Sequence, residues 1–345
     1  MRHCSQRLGV VVAAALFIAA CTGNTDRSGA TTVPPASAGS ATTTGPPAQA
    51  PSTAVLETSD GVSTTIAVPI ATAPVAADHT STTSAAPVTA RSIADEITAA
   101  EHGIRDTTLS ASAVAAFGRR QQRAYRLLAR NPDLLSAVTA LMPADVAVAF
   151  GFNVAARQAV ADHAAGSAPA QPSATLPAWT ILEPRSIDEL LTDYHEAEAA
   201  TGVPWQYLAA INLVETRMGR ISGRSSAGAE GPMQFLPDTF ARCCTGDIDD
   251  PHDAIVGAAT YLASSGAPAN MVKALYTYNP NEGYVRAVIA YASNLIADPL
   301  AYRGYHAWEV YVGSVAGTVR LPVGYAADSP IDAVAYATTH PEDVS

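Results

Sequence analysis

Glu215 is the residue of this chain best placed to do chemistry. It closes an otherwise apolar run, Leu208-Ala209-Ala210-Ile211-Asn212-Leu213-Val214-Glu215. Pro204 and Gly219 bracket the helix this run predicts, with proline first and glycine last. On such a helix Leu208, Ile211, Glu215 and Met218 share one face, so the carboxyl sits on an apolar stripe. It also lies in the last turn, where the helix dipole disfavours negative charge. Burial and dipole both favour the protonated form. A carboxyl still protonated near neutral pH suits a general acid, and glycosidic cleavage needs one. The plain alternative is a Glu at the core edge, paired with Arg217 or Arg220.

Other chemistry-bearing residues offer less. Glu230 lies in a glycine-punctuated loop and reads as a solvent-facing Glu or as a second carboxylate at a cleft. Asp247, Asp249 and Asp250 fail the EF-hand spacing, because Pro251 stands where a ligand is needed and the required Gly is missing. Asp250-Pro251 fits a helix start better, with Asp250 as the cap. His195-Glu196 lacks the second His of a zinc motif, so the spacing offers no metal site and no cofactor is expected. Cys243 and Cys244 have no His partner at the spacing of a nucleophile, and the sequence leaves a disulfide and two free thiols equally open.

Two further segments follow Glu215. Ser225-Ser226-Ala227-Gly228-Ala229-Glu230-Gly231-Pro232-Met233-Gln234-Phe235-Leu236-Pro237 is a turn running into a helix, and its small residues let the backbone approach a ligand closely. Ala274-Leu275-Tyr276-Thr277-Tyr278-Asn279-Pro280 lies beyond it. The order Glu, then S-x-A-G-A-x-G-x-M-Q-x-x-P-x-T, then Y-N resembles the lytic transglycosylase domain, a relative of goose-type lysozyme. The resemblance covers roughly residues 178 to 300. Ile181 through Glu215 also resembles the lipoprotein transglycosylases of high-GC Gram-positive bacteria.

The resemblance implies cleavage of the β-1,4 bond between N-acetylmuramic acid and N-acetylglucosamine in peptidoglycan. Glu215 would protonate the leaving oxygen and then, as carboxylate, deprotonate the muramyl C6 hydroxyl, which closes a 1,6-anhydro ring. It implies substrate contacts at Ser225, Met233, Gln234, Thr239, Tyr278 and Asn279. One departure stands out. The family's Y-N-A-G ending is Tyr278-Asn279-Pro280-Asn281 here, which bears on Asn279 more than on Tyr278. A muramidase-type hydrolase and a non-catalytic peptidoglycan-binding lipoprotein are the alternatives on the same fold.

The elements that must position these residues read as follows. Residues 1–20 are a signal segment, with Arg2 and Arg7 ahead of an apolar stretch. Ile18-Ala19-Ala20-Cys21 resembles a lipobox, so Cys21 is the expected lipidated N-terminus; the rival is a plain secretory signal. Residues 21–90, rich in Thr, Ala, Pro and Ser, cannot bury enough surface to fold and read as a disordered tether. As a flexible coil it spans roughly 45 Å. Residues 91–165 form a helical module, with Ser92 as first cap and Ile93, Ile97 and Ile104 facing inward. In it Arg119, Arg123, Arg126 and Arg130 make one basic stripe, which by default is solvated or paired. Residues 166–177 are a linker, 178–300 the catalytic domain, 301–325 an aromatic hairpin extension, and 326–345 a disordered tail. The fold class is therefore mostly α: an α+β lysozyme-like domain preceded by a small helical module and a tether.

The chain carries 20 basic and 31 acidic residues, net −11. That balance argues against nucleic acid as a partner. The expected partners are glycan strands and, through Cys21, the membrane. The expected place is the extracytoplasmic face of the cell membrane, for a protein acting as a monomer.

Overall fold

A computed structural model describes residues 87–165 and 172–345. Cys21, the signal segment and nearly all of the tether lie outside these residues, as does the first half of the 166–177 linker. Helix α1 (Ala90–Arg105) is capped by Thr89, whose hydroxyl accepts the Ser92 N–H at 3.1 Å. Ser92 is thus the third helical residue of a capping box rather than the cap, and Ile93, Ile97 and Ile104 are buried as the spacing predicts. Helices α2 (Ala111–Arg130), α3 (Leu135–Leu141) and α4 (Ala144–Ala165) follow. Ile93, Ile97, Tyr125, Leu128, Val138 and Phe150 close a local core among them.

Next come β1 (Thr175–Leu176), β2 (Thr180–Ile181), α5 (Ile187–Thr201), α6 (Trp205–Thr216) and β3 (Ile221–Ser222). Helices α7 (Pro237–Cys243), α8 (Pro251–Ser264), α9 (Met271–Tyr278) and α10 (Glu282–Ala297) complete the central part. As predicted, Asp250 caps α8, accepting the Asp253 N–H at 3.0 Å. The main core gathers Tyr194, Leu208, Ile211, Leu213, Phe235, Leu262, Leu275 and Leu295 around α6 and α10. Ala156 of α4 belongs to this same core, because α4 lies along α10. Residues 87–345 accordingly cluster as one unit.

The segment read as an aromatic hairpin extension divides in two. Helix α11 (Ala301–His306) buries Tyr302 and Tyr305, and Trp308 follows it into the core at 1% exposure. Polar bonds stitch these residues to the N-terminal helices: Trp308 Nε1 donates to Gln121 at 2.9 Å and the Tyr305 hydroxyl to Asn153 at 2.7 Å. A Cβ on Gly118 would lie 2.6 Å from the Gly304 carbonyl, so α2 and α11 touch backbone to backbone. The aromatics are core rather than stacking platforms for sugars. The hairpin itself is β4 (Val310–Ser314) and β5 (Gly317–Leu321).

The last twenty residues depart from the disordered tail expected of them. They form β6 (Ile331–Asp332), α12 (Ala333–Thr339) and a 3-10 turn. Strand β6 pairs antiparallel with β1, and Asp343 is buried against Arg320 at 2.6 Å while accepting the Tyr336 hydroxyl at 3.0 Å. Paired charge and strand addition order this tail together with a small apolar contact, in which Ala333 is buried and Ile331 and Tyr336 pack against the β4–β5 cluster. The remaining sheet is β2 with β3, also antiparallel. Helices dominate the described residues, and none of these helices is long and apolar enough to cross a membrane.

Candidate active site

Helix α6 ends earlier than Gly219 suggests. Arg217 and Met218 both take left-handed backbone angles, φ 56° and 64°, before Gly219 at 79°. Two non-glycine residues in that region cost on the order of 1–3 kcal/mol each and persist only where the surroundings impose them. Met218 therefore leaves the helical face it was expected to share with Leu208, Ile211 and Glu215, although it stays buried. Glu215 is the penultimate helical residue and only 6% exposed.

Neither arginine offered by the plain reading forms an ion pair with it. Arg217 turns back onto its own helix, its Nη1 donating to the Leu213 and Val214 carbonyls. Arg220 donates to the His306 carbonyl at 3.0 Å and lies 3.7 Å from Glu183. Burial pushes the Glu215 carboxyl up to about 7; a hydrogen bond from Tyr284 and the Arg217 charge hold the rise back. Of the two causes inferred from sequence, burial on the apolar face is the one that raises this carboxyl.

The glycine loop is clamped to this helix end. Thr216 Oγ1 donates to the Pro232 carbonyl at 2.6 Å, and Asn212 Nδ2 donates to the same oxygen at 2.9 Å. The Tyr194 hydroxyl in turn donates to Asn212 Oδ1 at 2.7 Å. Glu230 and Phe235 exchange backbone hydrogen bonds at 2.9 and 3.0 Å, pinching off a tight loop. Inside it Gly231 is left-handed, and a Cβ there would sit 2.0 Å from the Ile248 carbonyl. Gln234 is also left-handed, its Nε2 donating to the Gly231 carbonyl at 3.0 Å.

The residues singled out from sequence separate into two groups. Met233 is fully buried and its carbonyl accepts the Tyr278 hydroxyl at 2.6 Å. Tyr278 stacks parallel on Tyr284, ring centres 6.5 Å apart; burial, then the nearby Glu215 charge, pushes both phenols well up. Met233 and Tyr278 thus gather with Glu215 and Tyr284, while the Gln234 side chain turns back onto its own loop. Asn279 caps the end of α9 and is buried at 3% exposure. Ser225 and Thr239 are not tied to the acid: the Ser225 hydroxyl accepts the Ala229 N–H at 2.9 Å, and Thr239 sits in the first turn of α7.

Tyr284, Asn212 and Thr216 were missed. Nothing in a lone tyrosine three residues after a helix cap distinguishes it from core. The Y-N departure was the available signal: Asn281 accepts the Tyr284 N–H at 3.1 Å, so Pro280-Asn281 starts α10 and orients Tyr284.

Glu230 pairs with Arg224 at 2.8 Å, which occupies the one loop carboxylate nearest the motif. Asp250, His252 and Asp253 lie close enough to hold a cation, but Asp250 caps α8 and Asp253 accepts the Asp247 N–H at 2.9 Å. Cys243 and Cys244 form a disulfide.

Residues 194–300 match the family described as the Transglycosylase SLT domain. That match takes in about a third of the chain. The matched segment runs from Tyr194, through Glu215 and the clamped loop, to the end of α10. The chain is also 28% identical over 124 residues to the "Membrane-bound lytic murein transglycosylase F" of Thiobacillus denitrificans, an alignment covering 34% of this chain and 26% of that protein. The chain thus spans about a quarter of that relative's length. No solved structure matches it at a significant level.

Proposed function

We propose that this chain is a peptidoglycan lytic transglycosylase that uses Glu215 alone as acid and then base. The observation carrying this reading is a buried carboxyl titrating at about 7, held by a tyrosine at the end of the SLT domain's first long apolar helix. Pushed up to about 7, the carboxyl retains near neutral pH the proton needed to expel the glycosidic oxygen, and the resulting carboxylate is basic enough to deprotonate the muramyl C6 hydroxyl. That hydroxyl then attacks C1 of its own sugar, giving a 1,6-anhydro end without water. Atoms balance, since the proton given to the leaving group is recovered from C6–O–H. The Tyr284 hydrogen bond stabilises the carboxylate between the two steps. Met233, Gln234 and Tyr278 support the glycan at the acid, with Ser225, Thr239 and Asn279 as outer contacts.

Mass spectrometry of products from purified peptidoglycan tests this. Anhydromuramyl ends support it; reducing ends would indicate a muramidase, and no product a binding protein. Glu230→Gln should cut more slowly by only a small factor, because its carboxylate is committed to Arg224. A loss equal to that of Glu215→Gln would point to a two-carboxylate hydrolase.

The address is part of the proposal. Cys21 carries lipid at the extracytoplasmic face of the membrane, and residues 21–90 give the catalytic part reach into the wall. Cys21→Ala should release the protein from the membrane fraction, and unchanged fractionation would refute the anchor.

A further inference from the structure

Three buried guanidiniums converge near the acid from three separate elements. Arg126 comes from α2, Arg157 from α4 and Arg217 from the end of α6. Helices α4 and α6 both lie along α10, and α2 also meets α4. Tyr291 of α10 neighbours both Arg157 and Arg217. Arg126 lies over the Tyr311 ring at 3.8 Å, close to Arg157, Arg130 and Arg217. Arg126 and Arg217 are 7% and 8% exposed. The Arg157 Nε is buried with no hydrogen-bond partner. Arg217 feels the Glu215 carboxylate.

Buried charges are ordinarily paired, and an uncompensated one costs several kcal/mol. Burial and mutual repulsion push Arg126 down to about 9, the mark of a cationic cluster short of an anion. The chain as a whole is acidic, net −11, so this spot opposes its average charge. Of the arginine stripe read from sequence, Arg123 and Arg130 are exposed and Arg119 is half-buried, as a solvated face requires, while Arg126 turns inward.

We infer that Arg126, Arg157 and Arg217, with Arg130 at the rim, form an anion subsite that takes a carboxylate of the substrate strand. This rests on the glycan-cleaving reading. Guanidinium forks match carboxylate geometry in paired hydrogen bonds. The spacing from the acid is suitable. Tyr284 bonds Glu215 and Tyr291 neighbours two of the arginines; at seven residues apart on one helix face they are about 10 Å apart. A group attached to a sugar held at the acid reaches that far. A peptidoglycan strand offers carboxylates from two sources, the muramyl lactyl group and the peptide stem.

The test measures binding by calorimetry to the full chain carrying Glu215→Gln, so that turnover does not interfere. Three fragments are compared: a stem-bearing glycan, the same glycan with its carboxylates amidated, and a stem-free glycan with free lactyl carboxylates. Amidation should weaken binding by at least about tenfold, the worth of one charge-assisted hydrogen bond. Adding Arg126→Gln and Arg157→Gln should cause the same loss on the free-carboxylate glycan and none on the amidated one. If the stem-free fragment binds as well as the stem-bearing one, the lactyl group is the ligand; if it binds like the amidated one, the stem is.

Without ligand, the arginine variant should melt at the same temperature or higher, since repulsion is relieved. A lower melting temperature with equal losses on all fragments would assign the arginines to the fold and overturn the subsite. Equal affinity of the free and amidated glycans would overturn it too. Neither result touches the cleavage reading, which stands or falls on the anhydro product.

Discussion

Glu215→Gln tests the electrostatic heart of the site independently of activity. The substitution keeps the side chain's size and removes its ionisation. In the folded chain the carboxyl titrates at about 7, against an ordinary 4.5. The fold thus holds the proton more tightly than the unfolded chain does. Stability associated with the neutral carboxyl is complete below about pH 4.5 and is lost as pH rises through about 7. A difference of about 2.5 units corresponds to about 3 kcal/mol. Glutamine carries no such penalty. The variant's melting temperature should therefore gain on the wild type between pH 4.5 and 8. For a folded unit of this size the relative gain is roughly 6–12 °C at the alkaline end. Differential scanning calorimetry at four pH values reads this, while turnover on peptidoglycan falls by at least about a hundredfold. A melting offset that stays constant with pH would refute the reasoning, because it would mean that the fold does not disfavour the ionised acid.

Tyr284→Phe removes the bond that favours the carboxylate, so the alkaline limb of kcat/KM should move to higher pH; a limb that stays in place would remove Tyr284 from the site. Thr216→Val leaves the Pro232 carbonyl with Asn212 as its remaining donor from α6. It should cost about 1–3 kcal/mol and raise KM as the loop loosens, which urea unfolding and steady-state kinetics check together. Gly231→Ala places a methyl 2.0 Å from the Ile248 carbonyl on left-handed backbone, so the loop must shift; an unaltered KM and melting temperature would argue against that clamp.

Much of the central helical frame was legible because its punctuation is local. Asp250-Pro251 starts α8 and Pro237 starts α7, both by residue type alone. Glu215 stood out because a carboxylate in an apolar run is itself a physical anomaly. The end of α6 was not legible: arginine and methionine rarely take left-handed backbone, and the bonds that frame them there include the Thr216 and Asn212 clamp on a distant carbonyl. Tyr284 was hidden because its role depends on where Asn281 starts α10. The arginines at 126 and 157 lay outside the recognised motifs, and their convergence with Arg217 is a product of tertiary packing. The tail was misjudged because what orders it is tertiary: the Arg320–Asp343 ion pair and the packing of Ala333, Ile331 and Tyr336 on a cluster built by distant residues.

Helix α10 presents Tyr284 to the acid and also forms the surface on which α4 lies, with Ala156 sunk into the common core. The SLT segment of this chain is consequently not an interchangeable cassette. Splicing residues 194–300 from another protein into this frame would bring an α10 shaped for a different neighbour, and the mismatch would reach the acid through two turns of one helix. Conversely, a fragment trimmed to the matched residues would expose a face that in the intact chain never meets water. The practical unit for expression, crystallisation or domain exchange starts near residue 87, and changes in α4 are changes one layer away from the catalytic centre.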